Sequence, residues 1–465
     1  MQKIGVLLQH KTKNNKSMNK QFVYFICLVA AMGGLLFGYD WVVIGGAKPF
    51  YEVYFGIGDN PSMQGLAMSV ALLGCMIGAT LCGSLADSIG RKRLLIVSSL
   101  VFFFSALATG AFNSFEAFLG ARFVGGIGIG LASGLSPMYI AEVSPSAIRG
   151  RLVSLNQMTI VLGILGAQVT NWLIADDIPG GVVLADSWNV QMGWRWMFWA
   201  AAVPSAAFFV LALMVPESPR WLLLKGRREE AEKIVARLKC GLIGMEADGN
   251  GETGGRGGSL LLKNYGRVLT LGLFTAVFQQ WCGTNVIFNY AQEIFQNAGY
   301  EVGDVLFNIV ITGIANVAFT IVAINTVDRW GRRSLMLIGA GGLCLVYLAL
   351  GCCYYMHVTG AFMVVLVVAA IGCYAMTLGP CTWVLISELF PNSVRAVAVS
   401  ICTFALWVGS STLTYTFPLL NGALGSYGTF WIYSAVCAVG FIFLFCRLPE
   451  TKGKSLEQLE KELKS

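Results

Sequence analysis

One carboxylate stands inside the first membrane-length apolar stretch of this chain: Asp40, in the run from Phe22 to Lys48. A charge at membrane depth costs about 2.5–3.5 kcal/mol or more on insertion scales, so it is usually kept for a function and given a partner. The expected partner is Arg122, in the fourth apolar run. Asp40 lies 18 residues past Phe22, about 27 Å along a helix that rises ~1.5 Å per residue. Arg122 lies a few residues into a helix running the other way, so both fall in the same half of the bilayer. A carboxylate beside a guanidinium favours its charged form; desolvated and alone it favours the neutral form. A movement that separates the two groups would therefore load and release a proton. The competing reading is a static ion pair that only fixes helix packing.

The surroundings of that pair are those of a polytopic membrane protein. Of 465 residues, 56% are hydrophobic and only 12% charged, against about 25% charged in ordinary soluble domains. Mean hydropathy is +0.68. The net charge of +7 does not point to nucleic acid, because the basic residues sit in short segments between apolar runs, where orientation signals lie. The 13 cysteines fall mostly inside apolar runs with no CxxC pair, and read as small apolar fillers. With only His10 and His357 present, neither a metal site nor a cofactor is expected. The apolar run that begins the chain is too long for a signal peptide's core of roughly 7–15 residues, so it is expected to be retained.

Twelve spans are predicted, at 22–47, 64–86, 93–112, 117–141, 152–175, 195–215, 266–297, 303–327, 334–356, 361–390, 393–420 and 427–447. One set of loops carries the arginines and lysines (Arg91 to Arg93, Arg149, Arg151, Arg220, Arg332, Arg333, Arg395); the other is acidic, with Lys48 and Arg195 read as helix edges. The positive-inside rule then puts both termini in the cytoplasm. The expected organisation is a tail at 1–21, a six-helix bundle at 22–215, a cytoplasmic loop at 216–265, a second bundle at 266–447 and a tail at 448–465. In the loop, 227–238 reads as an amphipathic helix with a Glu229–Lys233 pair at i,i+4, and 249–258 as a flexible glycine linker. Gly126, Gly130 and Gly134 are spaced for close packing of a neighbouring helix. Trp172, Trp188, Trp194, Trp196 and Trp199 read as an aromatic belt at the membrane boundary.

The halves repeat. Asp87-Ser-Ile-Gly90-Arg91-Lys92-Arg93 follows the second span, and Asp328-Arg-Trp-Gly331-Arg332-Arg333 follows the eighth. Glu142, Pro145 and Arg149 recur as Glu388, Pro391 and Arg395, each 246 residues later. Pro216-Glu217 closes the sixth span and Pro449-Glu450 the twelfth. Duplicated six-helix halves are the sequence mark of a rocking transporter.

These motifs, in this order over about 22–454, resemble the sugar porter family of the major facilitator superfamily, with bacterial proton-coupled monosaccharide symporters the nearest in look. The resemblance implies an all-α fold of twelve transmembrane helices in two pseudo-symmetric six-helix bundles, a central sugar site and alternating access. It also implies a bacterial inner-membrane location, a monomer, and a monosaccharide and protons as partners, with no nucleic acid. Phe37-Gly38-Tyr39-Asp40 is similar to the first-helix motif of the proton symporters, where facilitators tend to carry Asn at the last position. Arg122 heads a stretch similar to the fourth-helix motif.

Gln279-Gln280-Trp-Cys-Gly283-Thr-Asn285 resembles the family's seventh-helix sugar-binding motif, which carries that role onto Gln279, Gln280 and Asn285. Gln157, Asn316, Trp383 and Trp407 match ligand positions of the fifth, eighth, tenth and eleventh helices, and Phe37 is a candidate for the pocket wall. The chemistry suits them: amides both donate and accept, as sugar hydroxyls require, and an indole face suits C–H groups. For each amide the competing reading is interhelical packing, worth about 0.6 kcal/mol. The Gly379-Pro380 step marks a broken tenth helix. Three positions depart from the pattern: Asn289 where a tyrosine is usual, Leu406 where relatives have Gln or Asn, and Ile164 where the xylose symporter type has Gln. They leave the sugar open between pentose and hexose.

Asp87, Arg91, Glu142 and Arg149, with Asp328, Arg332, Glu388 and Arg395, sit at cytoplasmic helix ends. In the family such residues bridge the two bundles while the outer side is open. The rival functions are an uncoupled facilitator of the same fold, against which Asp40 speaks, and a transport-like sugar sensor, which would carry long signalling tails. Nothing resembles a nucleophile–base or metal constellation, so no enzyme is expected.

Overall fold

The structure is a computed structural model that describes residues 20–145, 148–176, 183–238, 266–297, 302–358, 360–390 and 392–450. The glycine linker at 249–258, nearly all of the tail at 1–21 and the tail beyond Glu450 lie outside the described residues.

The described residues are helical almost throughout. The first half holds α1 (Lys20–Phe55), α2 (Pro61–Ile89), α3 (Arg91–Ala111), α4 (Phe115–Val143), α5 (Arg149–Ile174), α6 (Trp194–Ala200) and α7 (Ala202–Met214). Two short helices follow, α8 (Pro219–Leu224) and α9 (Arg228–Leu238). The second half holds α10 (Gly266–Trp281), α11 (Thr284–Asn289), α12 (Ala291–Asn297), α13 (Val302–Trp330), α14 (Arg332–Tyr355), α15 (Ala361–Met376), α16 (Leu378–Leu389) and α17 (Asn392–Arg447). Ten helical stretches among the described residues are long and apolar enough to cross a membrane. The tenth, within α17, turns at Gly425 (φ 69°) and is two spans; the broken run α10–α12 supplies one more. The twelve expected crossings are thus all represented.

Where the boundaries differ from the expected ones, local chemistry explains it. The first span runs on to Phe55, two turns past its expected end, because Pro49 sits inside the helix without ending it. The seventh breaks at Gly283, whose φ of +89° only glycine adopts easily; a Cβ there would stand 3.0 Å from the Tyr433 ring. The tenth breaks at Thr377 (φ −127°, ψ −87°), before the Gly-Pro step. Pro380 instead becomes the third residue of α16, where its missing N–H leaves no helical bond unmade.

Within the halves, α2 packs on α4, α1 on α5 and α3 on α4 in the first, and α14 and α10 on α17, and α13 on α15, in the second. The halves meet along α2 with α17, α5 with α13, and α1 with α11. Glycines set the close approaches. A Cβ on Gly126 would lie 2.0 Å from the Ala71 carbonyl oxygen and one on Gly130 2.2 Å from that of Cys75, so the expected glycine face does pack against α2. A Cβ on Gly38 would lie 1.9 Å from the Ile160 carbonyl oxygen, which draws α5 onto α1.

Two expectations for the surface are corrected. Trp172, Trp188 and Trp196 are exposed, but Trp194 is fully buried among Tyr54, Phe55, Phe118 and Phe198. Trp199 donates from Nε1 to the Leu107 carbonyl (3.0 Å). Near α9 the ion pairs are Arg227–Glu230 (2.7 Å) and Arg228–Glu232 (3.1 Å) rather than Glu229–Lys233. The Arg227 hydrogen bond holds the Glu230 carboxyl below its ordinary value.

Candidate functional site

The two charges inside the first half meet. Arg122 Nη1 lies 2.7 Å from Asp40 Oδ1, and Nη2 reaches the Asp40 backbone carbonyl at 3.4 Å. The guanidinium also sits over the Phe198 ring, 5.4 Å from its centroid. Arg122 is 2% and Asp40 9% exposed, and Asp40 Oδ2 and Arg122 Nε make no further hydrogen bond. Removing either partner would strand the other as a buried charge, a change that costs about 3–5 kcal/mol. Local sequence makes the pair possible: Gly38 lets α5 cover one side of α1, and α4 brings Arg122 to another.

One turn along α1 from Asp40, an aromatic wall begins. Phe37 stacks on Trp41 (centroids 5.5 Å apart, planes at 10°) and tilts against Trp407 of the second half at 5.9 Å. Trp407 is buried, and neither its Nε1 nor that of Trp41 has a hydrogen-bond partner. The ion pair and a ring contact between the halves therefore share one turn of one helix. Leu406, beside Trp407, is buried at 3% exposure.

The amides of the broken seventh span form a chain. Asn285 Nδ2 donates to Gln280 Oε1, Gln280 Nε2 to Gln279 Oε1 (2.6 Å), and Gln279 Nε2 to the Tyr374 hydroxyl (2.8 Å). Gly283 makes this geometry: the left-handed turn after α10 lets Asn285, on α11, reach back to Gln280. All three amides are at most 4% exposed, as buried amides in lipid must be if they are satisfied. Asn316 on α13 is 5% exposed, Gln157 on α5 is half-buried, and Trp383 on α16 stands 41% exposed. Ile164, one face with Gln157, is buried.

At the arginine-rich end the duplicated motifs do one job twice. Glu217 accepts from the backbone N–H of Arg91 (2.9 Å) and Lys92 (3.0 Å), capping α3. Glu450 accepts from those of Arg332 (3.1 Å) and Arg333 (3.2 Å), capping α14. A carboxylate there meets orphan N–H groups and the positive end of the helix dipole. Gly90 and Gly331, both at positive φ, leave room for it. Among the described residues, ion pairs at this end join groups of the same half. Arg91 joins Asp87 and Glu142 (both 3.0 Å) and Arg332 joins Glu388 (3.2 Å), each inside its own half. Arg149 is half-buried at the start of α5; the side chains of Asp328 and Arg395 lie outside the described residues.

Four residues escaped the sequence reading. Tyr374 ends the amide chain, and a tyrosine in an apolar run gave no sign of it. Trp41 is visible afterwards as Phe37 plus four. Gln168 falls on the Gln157–Ile164 stripe at plus eleven; it is 1% exposed, neither amide atom has a hydrogen-bond partner, and it lies against Gly313 of α13. Lys48, taken for a helix edge, is buried and paired with Glu293 at 2.9 Å.

Two six-helix halves, a buried acid–arginine pair in the first and a chain of buried amides in the second define a transporter of the major facilitator fold. The chain belongs to the family described as sugar (and other) transporter, whose pattern matches residues 26–463. It is 36% identical to the D-xylose-proton symporter of Escherichia coli K12, across 96% of each chain. It is also 36% identical to the arabinose-proton symporter of Bacillus subtilis, again across 96% of each. Among solved structures it is similar to the inward open conformation of the xylose transporter XylE from E. coli, with TM-score 0.83, 34% identity and coverage of 95% of this chain and 99% of that one.

Proposed function

We propose that this protein carries a monosaccharide, a pentose or hexose such as D-xylose or D-glucose, together with protons across a bacterial inner membrane by alternating access. The observation that carries the reading is the buried Asp40–Arg122 pair standing one helical turn from the Phe37–Trp407 contact between halves. Proton binding to Asp40 removes the charge that holds Arg122. A sugar bound against the neighbouring rings and amides changes how the halves fit. Each event acts on the same short stretch of α1, so each alters the cost of the other.

In this reading Asp40 takes up the proton and Arg122 provides the charge that expels it. Gln157, Gln279, Gln280, Asn285 and Asn316 bond the sugar hydroxyls, while Trp383, Trp407 and Phe37 face its C–H surfaces. The moving bodies are 22–215 and 266–447, joined by the loop at 216–265. The arginine-rich end faces the cytoplasm, with both chain termini, and one chain suffices. The membrane potential contributes about 2.3 kcal/mol per charge per 100 mV toward inward movement. Asp87, Arg91, Glu142, Arg149, Asp328, Arg332, Glu388 and Arg395 act at the cytoplasmic side, where pairs that exist in one state and break in another set the balance between states.

The test is uptake by proteoliposomes under an imposed pH gradient, competed by a panel of pentoses and hexoses. Accumulation above the outside concentration that collapses with an uncoupler is expected. Uptake that only equilibrates, with or without the gradient, would make the protein a facilitator; binding without uptake would make it a sensor.

A further inference from the structure

The end of the molecule opposite the arginines holds a second buried charge cluster, and it crosses between halves. Lys48 on α1 is 5% exposed. Its Nζ lies 2.9 Å from Glu293 Oε2 on α12 of the second half and 3.3 Å from Glu52 Oε1 on its own helix. The ammonium also stands 5.4 Å from the centroid of the Tyr290 ring. Glu293 is fixed from behind: its other oxygen accepts from Asn421 Nδ2 on α17, whose Oδ1 accepts from Ser426 (3.2 Å). Tyr290 donates to the Thr414 carbonyl at 2.7 Å. Everything Lys48 reaches across the boundary is thus anchored within the second half. Gly45, one turn earlier on α1, closes the approach: a Cβ there would stand 2.8 Å from the Asn289 carbonyl oxygen.

We propose that Lys48 is the bolt of a latch that holds this end of the transporter shut. The Lys48–Glu293 bond spans the halves, so opening that end must break it. A bond that exists in one state and not the other shifts the equilibrium by its own free energy. Glu52 makes the latch reversible. Lys48 and Glu52 share a helix at i,i+4, so their contact survives a rigid movement of the halves, and the withdrawn ammonium keeps a carboxylate. Glu293 likewise keeps Asn421. Breaking the bond therefore leaves neither charge bare, which is the circumstance that makes a split buried pair so costly. The inference rests on the alternating-access reading above, but it concerns which end is closed and not what is carried.

The experiment is hydrogen–deuterium exchange of the full chain in lipid nanodiscs, with neither sugar nor proton gradient present. Lys48→Met keeps the unbranched stem of the side chain and removes its charge. Relative to the native protein, exchange is expected to rise by about tenfold, a typical size for coupling between states, in segments 42–55 and 284–297. It should fall at the opposite end, in 83–93 and 325–335. Glu293→Gln, which keeps the shape and the Asn421 contact, should do the same. The double reversal Lys48→Glu with Glu293→Lys should return both ends toward the native pattern. Faster exchange at both ends marks plain loosening and overturns the proposal; so does no change at either, or a reversal that rescues nothing. Because no substrate enters the measurement, its failure leaves proton-driven uptake standing, and absence of such uptake leaves the latch standing.

Discussion

Arg122 is held from two sides, by the Asp40 carboxylate and by the ring of Phe198. Asp40→Asn keeps the side-chain volume and a hydrogen-bond acceptor while removing the proton-binding charge. We expect that variant to lose uphill accumulation, with the inside-to-outside ratio falling to about 1 at equilibrium, while exchange of labelled for unlabelled sugar persists. Uptake against a gradient in that variant would remove Asp40 from the coupling. Gln168 makes the opposite kind of prediction. Its amide is buried with neither polar atom bonded, and an unmet buried polar group costs about 1–3 kcal/mol. Gln168→Leu should therefore raise the melting temperature in detergent; a lower one would mean that the amide has a partner in the state that dominates in solution. Asp40 and Arg122 were legible in the sequence because each is an ion in an apolar run. Lys48 was not, because a proline follows it and a helix end looked nearer than it is. Trp194 misled for a related reason: tryptophan near a predicted helix end is as common in a packed corner as at a lipid surface.

Most helix positions were readable to within a few residues, the end of the first span excepted, because apolar length and glycine punctuation are local properties. Helix breaks were less so. The Gly379-Pro380 step marked the break in the tenth span to within three residues of Thr377, but the break at Gly283 fell inside a span expected to run unbroken from 266 to 297, where only packing against Tyr433 shows what the glycine is for. The duplicated Pro-Glu exits were recognisable as a repeat, yet their task as caps needed coordinates, since Glu217 and Arg91 lie 126 residues apart. Glu217→Gln should lose charge at two N–H groups at the start of α3 and lower stability by about 1 kcal/mol. A denaturant or thermal series checks it, and Glu450→Gln should match it at α14. Gly130→Val is expected to do more. Its first carbon would lie 2.2 Å from a backbone oxygen of α2, so the helices must part, at about 1–3 kcal/mol. Unchanged thermal stability would show that α2 and α4 separate freely.

At the scale of the molecule, the ion pairs described above fall differently at its two ends. Those at the arginine-rich end named above stay inside their own halves, while Lys48 ties one half to the other at the far end. The repeat in the sequence announced two halves; it did not announce which end would carry a bond between them, because that depends on contacts far apart in the chain. The identity of the sugar was equally out of reach, since Leu406, Asn289 and Ile164 alter the set of groups that a hydroxyl can meet without naming the hydroxyl.

The ring contact between Phe37 and Trp407 also gives the protein a built-in optical gauge. Trp41 and Trp407 belong to opposite halves, with one phenyl ring between them. In the alternating access proposed above, movement of the halves would change the surroundings of both indoles at once, so emission is expected to shift in step with turnover. Twelve tryptophans would blur that signal in the native chain, but subtracting the spectrum of Trp41→Phe isolates one indole. Each posture of the carrier then acquires its own colour, readable in real time without any attached dye.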